Sequence, residues 1–234
     1  VGEVTEEKLA ARKGLQPGDL LLQTDGAGGG TVTTSAIYGG FPEVIDETMN
    51  VDFLDACEAL SKLPVWRRLH AMTDVTNGGL RGDVHEMSRT TRLGIKVYPD
   101  RAVDLVAPKV KEMLEKLSID PLGVSVDALL VAGAKDDIVE VGVALDRLSI
   151  RWDIVGEVGE EGSPVVQVVD GEERDFTPKF RESPYTPIKK VVGERTPDDF
   201  DEMAAKVATA AHEAADKKRR VVERLRTRAG RNSE

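Results

Sequence analysis

The chain has 234 residues, of which 32% are charged, and its formal net charge is −10. This length can bury a substantial core in one large domain or in one domain with an extension. The acidic balance argues against a protein whose main task is to hold nucleic acid, and the single cysteine, Cys57, excludes an internal disulfide. No apolar run approaches the ~20 residues that cross a bilayer and no signal peptide opens the chain, so a cytoplasmic protein without membrane contact is predicted.

The first predicted elements are a short buried strand, Leu20–Leu22, and the glycine run Gly26–Gly30. Residues this small cannot pack a core, so the loop either cradles a ligand or simply moves. Hydroxyl side chains crowd positions 31–35 directly after it. They could donate hydrogen bonds to phosphate oxygens or begin an ordinary polar helix, and the residues leave both open.

A second glycine-containing turn follows a predicted helix over 51–63 and a short strand over 69–73. It runs Asp74-Val75-Thr76-Asn77-Gly78-Gly79. Gly78 and Gly79 lack Cβ, so they accept positive φ and let main-chain N–H groups approach a ligand. Leu80, Val84 and Met87 recur at helical spacing behind them, which predicts a helix N-terminus that favours phosphate. The alternative is a turn that only caps the helix. Asp74 either accepts hydrogen bonds from the turn's amides or helps to hold magnesium on a nucleotide.

Strands and helices alternate in the rest of the first 160 residues, with Gly94 as the stop of the helix behind the turn. This order is typical of an α/β or α+β layer fold. The predicted elements are a strand over 95–98, a helix over 108–117, a strand over 128–132, a helix from Asp136 or Asp137 to Leu148, and a strand over 150–158.

The region beyond residue 160 is predicted to be an extension. It contains a hairpin turning at Asp170-Gly171, a proline-containing connector with Arg181, Lys189 and Lys190, and a long helix starting near Pro197. A heptad-like seam on this helix fits close packing against another helix, in its own domain or in a second copy. The seam comprises Phe200, Ala204, Val207, Ala211, Ala214, Lys218, Val221 and Leu225. Arginines crowd the end of the helix, but no aromatic residues interleave with them to stack on bases.

From Leu69 to Val158 the order of elements resembles the C-terminal half of the aminoimidazole ribonucleotide (AIR) synthetase superfamily, which includes selenophosphate synthetase, thiamine-monophosphate kinase and the hydrogenase-maturation carbamoyl dehydratase. The segment carrying the resemblance runs from His70 to Leu80 and is similar to the "Asp, x, Thr, then glycines and Leu" turn of two branches. Further matches are Gln16–Leu22, Leu93–Val97, Ile119–Leu122, Ala128–Ala132 and Trp152–Val158.

The resemblance implies a layered α/β/α domain over 1–160, followed by an extension over 161–234 that ends in a long helix. It also implies that a missing N-terminal half supplies ATP and magnesium binding and most of a homodimer interface. On this basis a phosphate or nucleotide is expected at a set of nine residues, with no metal ligands and no assigned catalytic residue. The set is Gly28, Gly29, Gly30, His70, Asp74, Thr76, Asn77, Gly78 and Gly79.

The expected function is that of one half of an ATP-dependent enzyme, related to those of purine biosynthesis, that positions phosphate for phosphoryl transfer or ATP-driven cyclisation. This half alone is not expected to be active. The alternative is a non-catalytic metabolite-binding or assembly domain with a degenerate site. The hydrogenase-maturation branch carries its carbamoyl group on a C-terminal cysteine, whereas this chain ends Gly230-Arg231-Asn232-Ser233-Glu234. No cysteine-borne intermediate is therefore expected here.

Overall fold

The computed structural model describes residues 14–75, 77–177 and 199–231, and the side chains of the last helix up to residue 228. Thr76, the connector cations Arg181, Lys189 and Lys190, and the predicted helix start near Pro197 lie outside the described residues. Within these ranges, no helix is both long enough and apolar enough to cross a membrane.

Seven strands form one sheet in the order β2-β4-β1-β5-β3-β6-β7. Neighbouring strands are antiparallel except β3 and β6, which are parallel. Their bounds are β1 Leu20–Thr24, β2 Ala71–Asp74, β3 Leu93–Val97, β4 Leu129–Gly133, β5 Trp152–Glu161, β6 Val165–Val169 and β7 Glu172–Asp175. The predicted hairpin is confirmed, and Asp170 and Gly171 both take positive φ at its turn. β6 and β7 continue the sheet beyond residue 160.

Helices cover both faces of the sheet, which confirms the layered mixed α/β fold. They are α1 Gly30–Gly39, α2 Pro42–Ile45, α3 Asp52–Ser61, α4 Gly79–Thr91, α5 Pro99–Asp104, α6 Pro108–Lys116, α7 Lys135–Asp146 and α8 Phe200–Arg231, with 3-10 turns at Pro64–Arg67 and Pro121–Gly123.

The core is divided by the sheet, and β1 contributes to both halves. Leu21 belongs to the cluster under α1, α2, α4, α6 and α8, whereas Leu22 belongs to the cluster under α3 and α7. Both leucines are fully buried. A central strand buried on two faces needs consecutive apolar residues, which explains the Leu20-Leu21-Leu22 run.

The end of α4 differs from the prediction that Gly94 stops the helix. Arg92 is its C-cap, in the left-handed region with φ 63°, and Gly94 already lies within β3. A Cβ on Gly94 would meet the Ser163 side chain at 2.5 Å and the Pro164 carbonyl oxygen at 3.0 Å. Gly94 is therefore required by close strand packing rather than by the helix end.

The long helix α8 packs on its own domain, against α1 and α2. Its contact face coincides with the predicted seam only in part. Val207, Ala214, Val221 and Leu225 of the seam lie on it, whereas Phe200, Ala204, Ala211 and Lys218 are exposed, and the fully buried Ala210 lies outside the seam. The inward face runs through positions 203, 207, 210, 214, 217, 221, 225 and 228, again in steps of three and four. Periodicity identified the helix, but two alanine-rich stripes lie side by side on it and only packing distinguishes them.

Candidate functional site

The two glycine-containing loops lie at the same end of the strands, which we call the loop edge of the sheet. β4 is antiparallel to both β1 and β2, with Gln23 opposite Leu130 and Asp74 opposite Leu129. The first glycine loop (Gly26–Gly30) leaves the end of β1, and the second glycine loop (Asp74–Gly79) leaves the end of β2. The structure thus brings Gly28, Gly29 and Gly30 to the same end of the strands as Asp74, Asn77, Gly78 and Gly79.

A segment over 122–128, the bridging segment, lies between the two loops and contacts both. Gly28 N donates a hydrogen bond to the Val126 carbonyl oxygen at 2.8 Å, and Val75 N donates to the Ala128 carbonyl oxygen at 2.8 Å. The Ser125 hydroxyl lies 2.8 Å from Asp127 Oδ1. These contacts fix the loops relative to each other.

The bridging segment explains several of the glycines. Added Cβ atoms would collide with the Val126 carbonyl oxygen at Gly26, with the Asp127 carboxylate at Gly29 and with the Leu122 carbonyl oxygen at Gly79. A Cβ added at Gly28 would lie 2.5 Å from Val32 Cγ2 and 2.9 Å from the Ser125 carbonyl oxygen. Protein atoms therefore occupy the space beside these four glycines. Open space remains beside Gly30, and Gly78 faces only the backbone of its own helix.

Two helix N-termini open at this edge. Gly29 is the N-cap of α1 and Gly78, with φ 96°, is the N-cap of α4; neither helix has a side-chain cap or an acidic residue in its first turn. By contrast, α2, α3, α5, α7 and α8 carry acidic residues there, and among the described helices only α6 shares this absence with α1 and α4. The orphan N–H groups and the helix dipole of α1 and α4 therefore keep their capacity to attract an anion.

The two N-termini are not equivalent, because the Asp127 carboxylate lies against Gly29. Asp127 is half-buried and takes φ 52°, a conformation that Asp tolerates better than most residues. A carboxylate at this position already supplies negative charge to the start of α1. At α4 the first turn instead carries Arg81, which pairs with Asp120 at 2.5 Å and lies over the Phe176 ring.

Carboxylates also line the α3 side of the site. Burial raises the pKa of Asp25, and the nearby Asp52 raises it further, while Arg151 opposes the shift. Burial likewise raises the pKa of the Cys57 thiol, with a smaller contribution from Asp74. Cys57 is thus a half-buried, protonated thiol on α3, close to the exposed Asp74.

His70 lies at the opposite end of the strands, away from both loops. It precedes β2, four residues or about 13 Å of extended chain from Asp74. Its Nδ1 lies 2.8 Å from a carboxylate oxygen of Asp19, which is almost fully buried at the start of β1. The pair ties the starts of two strands together, and the structure does not bring it to the other predicted site residues.

Sequence reasoning missed Ser125, Asp127 and Asp25. The available signals were polar residues alternating with valine in Val124-Ser125-Val126-Asp127, directly before an apolar strand, and an aspartate directly before the glycine run. Two buried polar atoms, Gln23 Oε1 and Thr33 Oγ1, flank the first glycine loop in sequence and have no hydrogen-bond partner in the described part of the chain. The same ranges hold no group of three or more His, Cys, Asp or Glu residues able to bind a metal ion.

This architecture agrees with the family comparison: residues 16–169 match the model of the AIR synthase related protein, C-terminal domain. The chain belongs to this family. An uncharacterized protein of Methanocaldococcus jannaschii is 46% identical over 231 residues, which cover 97% of this chain and 49% of the relative. The chain therefore spans about half the length of the curated relative that it matches.

Two solved structures share the fold. The hydrogenase maturation protein HypE of E. coli superimposes with a TM-score of 0.57 at 24% identity, covering 76% of this chain and 54% of HypE. A HypE structure in complex with ATP gives a TM-score of 0.55 at 18% identity, with 76% and 55% of the two chains covered. At these identities the likeness concerns the fold.

Proposed function

We propose that this chain is the C-terminal half of an ATP-dependent enzyme of the AIR synthase related family and that its loop edge positions a phosphate group. The observation that carries the proposal is the pair of glycine-capped N-termini, α1 and α4, at one edge of the sheet. The full-length protein would supply the remaining half, act as a cytoplasmic homodimer, and bind ATP, in keeping with the ATP complex of HypE.

The N-terminus of α4 is the better of the two anion sites. Asp127 repels a second negative charge at α1, whereas Asn77, Gly78 and the following amides face no carboxylate of their own first turn. Oriented N–H groups stabilise charge on a phosphoryl group without any covalent role for the protein. Positioning is therefore the contribution expected from this half.

Magnesium fits the site only as a shared ion. Magnesium is usually held by one or two carboxylates together with phosphate oxygens and water, and Asp74 is an exposed carboxylate at the loop edge. When bound to a nucleotide, the ion would neutralise phosphate charge near Asp74. The described residues provide no complete shell of their own.

The filled spaces beside Gly26, Gly28, Gly29 and Gly79 favour a second candidate, a non-catalytic metabolite-binding or assembly domain. On that view these glycines serve packing between the loops and the bridging segment. ATP turnover by the full-length protein distinguishes the two functions: a full-length protein that binds phosphate without consuming ATP, across candidate metabolites, supports the second.

Asn77→Asp tests the anion site. The new carboxylate stands just before the N-terminus of α4, so it should weaken binding of phosphate or pyrophosphate to the full-length protein by about tenfold through like-charge repulsion. Titration calorimetry provides the measurement. Asn77→Ser is the matched control because it keeps a neutral polar side chain at the same exposed position. Equal affinity of the Asp variant and the wild type would place the anion elsewhere.

A further inference from the structure

The second half of α8 meets α3 through charged side chains. Arg224 pairs with Asp55 at 3.1 Å, and Arg228 pairs with both Asp55 and Glu58. One turn earlier, Arg220 reaches Asp46 at 3.2 Å. A groove of about 820 Å³ lies between the two helices, and its lining includes Asp55, Glu58, Arg224 and Arg228 together with Leu148 and Ile150. Ion pairs span this groove, and apolar packing does not fill it.

The first half of α8 is held differently. Ala210 is fully buried and Ala214 is 9% exposed, both within the core cluster under α1 and α2. No residue from 215 to 228 is buried. The helix therefore has an apolar anchor followed by a segment of about four turns whose contacts with α3 are ionic.

α3 in turn borders the loop edge. Asp52, in its first turn, lies close enough to Asp25 to help raise the pKa of that carboxyl group. Cys57 lies about one turn further on, and the charge of Asp74 helps to raise the pKa of its thiol. A displacement of α3 would therefore expose the half-buried Asp25, which follows β1, and change the surroundings of Asp74.

We propose that the basic end of α8 is an electrostatic latch. Ala56 and Leu60 bury the apolar face of α3 on the sheet, Arg224 and Arg228 add to this packing, and their release makes opening of α3 away from the loop edge more frequent. Screening acts on this contact and not on the alanine anchor, because the Debye length falls from about 10 Å at 0.1 M salt to about 3 Å at 1 M. Single exposed ion pairs stabilise little, so the latch depends on the network in which Arg224 and Arg228 share Asp55 and Arg228 also pairs with Glu58. The latch stands without the proposed anion site; its effect on that site rests on the proposed function.

Cys57 provides the readout, since it is the only cysteine of the chain and lies between Asp55 and Glu58. The experiment measures the rate of Cys57 alkylation by N-ethylmaleimide in the full-length protein, with any cysteine outside this chain replaced by serine. Between about 0.05 and 1 M NaCl the wild-type rate should rise by about fivefold, the change in open fraction that corresponds to a network worth ~1 kcal/mol. Arg224→Glu combined with Arg228→Glu should give the high rate at every salt concentration.

Two further variants make the experiment specific. Arg219→Glu with Arg226→Glu introduces the same charge change on exposed positions of α8 that form no ion pair with α3 among the described residues, and it should behave as wild type. Adding Asp55→Arg and Glu58→Arg to the reversed arginines restores opposite charges and should slow alkylation again. An alkylation rate that changes neither with salt concentration nor in the Arg224→Glu, Arg228→Glu variant would overturn the latch. Phosphate binding does not enter this readout, so the latch and the proposed function fail separately.

Discussion

At the residue scale, glycines of one sequence run have different physical reasons to be glycine. Gly29 leaves room for the Asp127 carboxylate, whereas Gly30, the first residue of α1, faces open space. Gly79 combines two requirements, a φ of 59° and close contact with the backbone of residues 122–124. Substitution of these positions should therefore have opposite effects on stability.

Gly79→Ala should destabilise the domain by about 2–5 kcal/mol, from left-handed strain of roughly 1–2 kcal/mol and overpacking of roughly 1–3 kcal/mol. Gly30→Ala is the matched control. It should stabilise by roughly 0.4–1 kcal/mol, because alanine restricts the unfolded chain and meets no neighbour in the folded one. Urea unfolding of both variants measures the difference. A neutral Gly79→Ala would show that the bridging segment adapts easily.

At the scale of elements, the amphipathic pattern of α8 predicts a helix but does not predict which of its faces is buried. Positions 204 and 211 and positions 203 and 210 both obey the spacing of a helix face. Only the second pair faces the domain, because α1 and α2 contact that side. Apolar character is similar on both stripes, so the partner surface decides which of them is buried.

Ala210→Asp and Ala211→Asp separate the two stripes with one chemical change. Both carry the same helix-propensity cost of roughly 0.7 kcal/mol, so their difference reports packing. Ala210→Asp should be less stable than Ala211→Asp by about 1–3 kcal/mol, because it forces a carboxylate into a fully buried position. Thermal and denaturant unfolding test this. Equal stabilities would mean that α8 does not dock through Ala210 in solution.

At the scale of the whole molecule, acidic residues dominate the charge, and the basic end of α8 is matched by carboxylates of the same chain. Asp46, Asp55 and Glu58 pair with its arginines. These pairs hold Arg220, Arg224 and Arg228 against the surface of their own domain. Whereas these ion pairs stabilise the fold, the ionised carboxyl group of Asp25 destabilises it, because folding buries that group near Asp52.

Asp25→Asn should stabilise the domain near neutral pH. The folded-state pKa of Asp25 lies above its unfolded value of about 3.8, so ionisation penalises the fold at pH values above the folded-state pKa. The penalty shrinks as pH falls through the folded-state pKa and vanishes below the unfolded one. In urea unfolding measured across a pH series, the stability advantage of the Asn variant over the wild type should therefore become smaller as the pH falls. Glu160→Gln, at an exposed position, serves as control. An advantage independent of pH would contradict this linkage.

Much of the fold was predictable from local pattern. The strand at Leu20–Leu22, the helix carrying Val110, Met113 and Leu114, and the hairpin at Asp170-Gly171 each follow from burial period or turn chemistry within a few residues. The site was predictable only in part, since the loop glycines meet at one edge while His70 lies at the other. Which strand ends coincide depends on pairing partners distant in sequence, and no local pattern encodes that.

The sequence by itself determined the family, the alternation of strands and helices, and the two glycine turns, because backbone conformation and burial period are local properties. Only the tertiary structure decided that the segment around Asp127 fills the space beside the glycines, that Asp19 holds His70, and which stripe of α8 faces the domain. These relations join residues separated by between about 50 and 180 positions. They arise from packing and charge between surfaces that exist only after the chain has folded.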